Sequence, residues 1–97
     1  MNLAAFTPGT TASISVTSNS SSVAISGTGQ SLEIQNDSTV TCFVKLGSSN
    51  VAATTAGYPV LGGQSKVITR NPYADTHIAA ITASGTATLY ITNGEGV

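Results

Sequence analysis

Between Thr76 and Thr92 the chain reads Thr-His-Ile-Ala-Ala-Ile-Thr-Ala-Ser-Gly-Thr-Ala-Thr-Leu-Tyr-Ile-Thr, and its apolar residues alternate rather than recur at helical spacing. Alternation with period two is the pattern of a half-buried strand. It puts Ile78, Ala80, Thr82, Ala87, Leu89 and Ile91 on one face, and His77, Ala79, Ile81, Thr88, Tyr90 and Thr92 on the other. Ser84-Gly85 predicts a hairpin with a two-residue loop, in which Ala83 faces Thr86, Ala80 faces Leu89 and Ile78 faces Ile91. The first face is the expected core wall. The second is mixed enough to meet solvent or a partner.

The rest of the chain repeats this rhythm in shorter pieces. Ala12–Thr17, Val23–Ser26, Leu32–Asn36 and Val40–Leu46 each alternate, and Ser20–Ser22, Gly27-Thr-Gly29, Asn36-Asp-Ser and Gly47 interrupt them. Asn36-Asp-Ser predicts a hairpin-type loop, because Asn and Asp bond their own backbone and accept turn geometry. In the fourth segment Val40, Cys42, Val44 and Leu46 are expected inward, leaving Thr41, Phe43 and Lys45 outward. Val51–Thr55 predicts a short strand. Gly57–Gly63 is turn-rich, and Pro59 within it forbids a central strand. Ser65–Arg70 reads as an edge strand whose charges discourage stray pairing. Nowhere do apolar residues hold helical spacing for three turns, so minimal helix is expected. About eight short strands without a crossover helix mean an antiparallel sandwich, jelly roll or small barrel. The expected organisation is an N-terminal arm over 1–11, a β domain over 12–92 and a flexible C-terminal tail over 93–97.

Only 7% of the 97 residues are charged, against about 25% in an average domain. Lys45, Lys66 and Arg70 are the whole basic set, too sparse for a phosphate-tracking stripe, so no nucleic-acid partner is expected. No apolar run approaches bilayer length, and no membrane partner is expected. The N-terminus has no basic n-region or long apolar h-region, which predicts synthesis in a reducing cytoplasm. Cys42 is the single cysteine, so no intrachain disulfide and no cysteine-based zinc site can form. Much of the 40% hydrophobic content is alanine. A thin core and a hydroxyl-clad surface near neutrality favour a protein that spends its life assembled.

Catalytic chemistry finds little to build on. Asp75 and His77 are two residues apart beside many hydroxyls, but no Gly-x-Ser-x-Gly elbow accompanies them. One histidine and four dispersed carboxylates do not compose a metal site, and the glycine pairs do not open helices that could cradle phosphate. The expectation is no enzyme, no cofactor, no metal and no small-molecule substrate. The aromatic residues carry what contact chemistry there is. Phe43, Tyr58, Tyr73 and Tyr90 are candidate interface residues, since tyrosine offers an apolar face and a hydrogen-bonding end. Leu3 and Phe6 are candidates to anchor the arm on a neighbouring subunit.

From about Ser26 to Gly96 the chain resembles small structural proteins of tailed bacteriophages and their prophages. The resemblance is carried by Ser31-Leu-Glu-Ile-Gln-Asn36, Cys42-Phe-Val-Lys-Leu-Gly47, Tyr58-Pro-Val-Leu-Gly-Gly63, and His77-Ile-Ala-Ala-Ile81 through Ile91-Thr-Asn-Gly-Glu-Gly96. Proteins of this kind include capsid decoration, or cement, proteins that sit across joints between major capsid subunits. The resemblance implies a jelly-roll-like antiparallel β-sandwich on the outer surface of a virion. It implies the major capsid protein and further copies of the chain, as homodimer or homotrimer, as partners. It carries no catalytic residues. An alternative of another class is a receptor- or glycan-binding module of a tail or fibre, with Tyr58 and Tyr73 at the sugar.

Overall fold

The computed structural model describes residues 7–25, 27 and 29–95. These form eight strands, with no helix among the described residues: β1 (Thr7–Val16), β2 (Ser21–Ala24), β3 (Ser31–Asn36), β4 (Cys42–Gly47), β5 (Tyr58–Val60), β6 (Ser65–Thr69), β7 (His77–Thr82) and β8 (Ala87–Glu95). They make two antiparallel four-stranded sheets, ordered β1-β8-β3-β6 and β2-β7-β4-β5. Of consecutive strands, only β4 and β5 share a sheet; every other connection leaves one sheet for the other.

One core serves both sheets. Ile14, Val16, Leu32, Ile34, Leu89 and Ile91 come from the first, and Cys42, Val44, Val60, Ile78 and Ala80 from the second. The cluster draws on both sheets at once, so their inner faces meet in a sandwich-like arrangement. The inward set is the period-two set read from the sequence, and Ile78, Ala80, Thr82, Ala87, Leu89 and Ile91 are all buried.

Their pairing differs from the expected hairpin. β7 pairs with β2 and β4, whereas β8 pairs with β1 and β3, so Ile78 never faces Ile91 across a ladder. Residues 83–86 turn the corner between sheets instead. Gly85 takes φ 83°, and the Thr82 Oγ1 hydroxyl donates to its carbonyl at 2.8 Å. Alternation fixes which side chains face the core, but a crossing connection and a hairpin satisfy it equally. The same correction applies to Asn36-Asp-Ser, which links β3 to β4 across the sandwich.

The terminal boundaries also move. Residues 7–11, assigned to the arm by sequence, belong to β1, with Thr7, Pro8 and Thr11 opposite Glu95, Gly94 and Thr92. The register shifts between Pro8 and Thr11, a bulge on an edge strand, where proline is tolerated. Gly9 permits the approach, since a Cβ there would lie 2.7 Å from the Asn93 carbonyl oxygen. Residues 93–95, assigned to a flexible tail, extend β8, with Asn93 and Gly94 buried. Val51–Thr55 forms no strand. Pro59 lies on β5 and Lys66 on β6, both edge strands.

Candidate functional site

Buried polar side chains fix the loops at both ends of the sheets. At one end Asn36 donates from Nδ2 to the carbonyls of Val40 at 2.7 Å and Val60 at 2.9 Å, while the Ser38 hydroxyl donates to its Oδ1 at 2.7 Å. That joins the end of β3 to β5 and to the approach to β4. At the other end Arg70 is 4% exposed and donates to three carbonyls. Its Nε reaches Gly29 at 2.9 Å, Nη1 reaches Asp75 at 3.0 Å and Nη2 reaches Gly27 at 2.8 Å. Burial pulls the guanidinium pKa down, and the nearby Asp75 charge pushes it back up. Asn93 grips the same turn from the other side, accepting the Gly29 amide at 3.0 Å and donating to its carbonyl at 2.9 Å. A Cβ on Gly29 would fall 2.2 Å from the Gly94 carbonyl oxygen, so the turn demands glycine there. Neither the Arg70 nor the Asn93 contact was legible in advance. The available signal was a lone arginine in a charge-poor chain that also holds a Gly-x-Gly turn.

Asp75 and His77 do not converge on a serine. The Asp75 carboxylate accepts the Asn71 amide at 3.1 Å, and His77 Nδ1 bonds Thr76 Oγ1 at 2.9 Å. No group of three or more metal-ligating side chains occurs among the described residues.

The aromatic candidates separate onto different surfaces. Phe43 lies on the outer face of the β2-β7-β4-β5 sheet, opposite Ile81 on β7 and Pro59 on β5. Ile81, Phe43 and Pro59 thus form an apolar row across three strands, ending at the β5 edge. Tyr58 and Leu61 stand exposed along that edge, at 46% and 51%. Nearer the sheet centre the same face is covered. Ala79 points outward yet is fully buried, and the 48–57 segment bridges from β4 toward β2, where the Ala53 amide donates to Ser20 Oγ at 2.8 Å. Tyr73 lies in the 71–75 turn and is 93% exposed, on a different element from Tyr58. Leu3 and Phe6 lie outside the described residues.

Tyr90 occupies the outer face of the other sheet, in a row that runs Ser13, Tyr90, Gln35, Ser65 across all four strands. Around it this face carries hydroxyls and amides, with Glu33 as its charged residue and the exposed Val67 opposite Glu33. Two hollows open at the Asp37 end of the face. One, about 360 Å³, is lined by Tyr90, Gln35, Gln64 and Ser65; the other, about 350 Å³, is lined by Ser15, Thr17, Thr86 and Thr88.

Comparison with known proteins gives no match, either to a family model or to a curated sequence.

Proposed function

We propose that this chain is a non-catalytic assembly protein, a decoration or cement protein that binds the outer surface of a tailed-phage capsid. We further propose that its sandwich is a jelly roll. The strand orders β1-β8-β3-β6 and β2-β7-β4-β5, joined by connections that cross at every step but one, support that reading. Jelly rolls of eight strands recur in viral capsid and lectin domains.

The observation that carries the assembly reading is the apolar row of Ile81, Phe43 and Pro59, which ends on a three-residue edge strand where Tyr58 and Leu61 stand exposed. In a chain with so few charges, such a strip has little electrostatic protection against burial on a partner. The major capsid protein is the proposed partner. Each contact is modest, but many copies across a shell multiply the effect without any single tight interface. Leu3 and Phe6 are proposed to add an anchor on a neighbouring copy or capsid subunit, and a homodimer or homotrimer is the proposed state on the particle.

The test is reconstitution on empty shells of the phage or prophage that encodes the chain, with bound copies counted after sedimentation. Wild-type chain is expected to saturate the shells at a fixed ratio. The Tyr58→Ser/Leu61→Ser variant, whose changes lie at exposed positions, is expected to lose occupancy about tenfold while keeping its fold. Shells that leave wild-type chain in the supernatant would sink the reading.

A further inference from the structure

The outer face of the β1-β8-β3-β6 sheet carries a feature that capsid assembly does not use. We infer that its two hollows form a binding site for a neutral oligosaccharide, with one sugar stacked on Tyr90 and the next beyond Asp37. The inference rests on a different surface from the assembly strip, so either can fail alone.

The ligand class follows from the lining. Asp37 contributes to both hollows, which therefore adjoin and share a wall. Their volumes, about 360 and 350 Å³, lie at the lower end of ligand sites, which span about 300–1,000 Å³. Sites for apolar ligands are lined mainly by hydrophobic side chains. These present about as much polar as apolar surface, with hydroxyls and amides on most of the lining residues, so a purely greasy ligand would leave many polar groups without partners. No lysine, arginine or histidine lines either hollow, which disfavours phosphate, sulfate or uronate groups. A ligand that is rich in hydroxyls, uncharged and built of repeating units of hollow size remains. A saccharide chain has that chemistry.

Tyr90 supplies the one apolar surface such a ligand needs. The residue is 37% exposed, between Ser13 and Gln35 in the same row. A pyranose can lay its C–H face on the ring while its equatorial hydroxyls reach outward. Within reach of that position stand an amide on Gln35, a hydroxyl on Ser65 and a carboxylate on Asp37, which can accept from two vicinal hydroxyls at once. None of these side chains, nor the Tyr90 hydroxyl, is hydrogen-bonded within the described residues. Their backbones, by contrast, are held. The Asn36 amide donates to Gln64 at 3.0 Å, the Gly63 amide to Asn36 at 3.1 Å and the Asp37 amide to Thr88 at 2.9 Å. The site is preformed on strand residues and on backbone-bonded turns at 36–38 and 63–64, with the Tyr90, Gln35, Ser65 and Asp37 side chains unspent.

The test uses the full chain, isotopically labelled, titrated with neutral hexose and deoxyhexose oligosaccharides of increasing length and with chondroitin sulfate as the anionic control. Neutral sugars are expected to shift the amides of Tyr90, Gln35 and Thr88, with oligomers binding more tightly than single sugars because two hollows are filled. Tyr90→Ala is expected to weaken binding about tenfold, and Asp37→Asn several-fold. Tyr73→Ala, far more exposed but on the 71–75 turn, is expected to change nothing. Should Tyr90→Ala not fold, Gln35→Ala reads the same hollow. The inference is overturned if no neutral sugar shifts these amides at millimolar concentration, if Tyr90→Ala in a folded chain leaves the affinity unchanged, or if chondroitin sulfate binds better.

Discussion

Among the described residues Arg70 donates to backbone carbonyls alone, so its removal would strand buried acceptors rather than merely delete a charge. Arg70→Ala is expected to lower stability by about 3 kcal/mol or more, measured by urea unfolding. Asn36→Ala, which removes the side-chain donor to the Val60 carbonyl and leaves the Val40 carbonyl only the Ser38 hydroxyl at 3.1 Å, should cost about 1–3 kcal/mol. Cys42 supplies a pH-dependent check on the core. Burial raises its thiol pKa above the ordinary 9.0, opposed by a weaker hydrogen bond from Asn36. The native state then keeps a proton that the unfolded chain gives up. The stability difference is intact below pH 9.0 and shrinks as pH rises beyond it. Unfolding curves at neutral and alkaline pH should show this loss in wild type and a smaller one in Cys42→Ala. At this scale the sequence foretold the inward residues well, because a pleated strand leaves no other choice. It did not foretell Arg70 or Asn93. Their partners are main-chain carbonyls in distant turns, and no side-chain pattern announces a carbonyl.

Strands as units were more legible than their neighbours. β3, β4, β7, the second half of β1 and most of β8 stand where alternation put them. Pairing was misjudged because a Ser-Gly turn signal says that the chain bends, not into which layer it goes. A peptide of residues 76–92 is accordingly expected to show no hairpin by NMR, since neither strand brings its own partner. At the ends, composition misled. Pro8-Gly9 and Gly94 look like breakers, yet on an edge strand the proline is harmless and the glycines allow close approach. Deleting 1–11 would therefore remove the rungs opposite Glu95, Gly94 and Thr92, along with the 2.8 Å Thr11–Thr92 hydroxyl bond. The expected loss is about 1–3 kcal/mol by chemical denaturation, whereas deletion of 1–6 leaves those rungs in place.

For the molecule as a whole, crossing connections mean that almost every ladder closes a long stretch of chain. Such topologies fold slowly, because loop entropy is lost before the pairing that repays it. Refolding followed by stopped-flow fluorescence of its tyrosines is expected on the millisecond-to-second scale, and a microsecond phase would contradict this. The fold class could be anticipated from strand rhythm and the lack of helical spacing. The separation of the aromatic residues could not, since Tyr58, Tyr73 and Tyr90 reach different surfaces only through strand order. β1 and β8 also lie side by side, with Thr7 opposite Glu95. Tension applied at these two positions would meet the ladder one rung at a time, as a zipper is opened, rather than load all its rungs together in shear. Mechanical resistance to being pulled by the ends is therefore low, and a tether that must bear force belongs on the sheet faces.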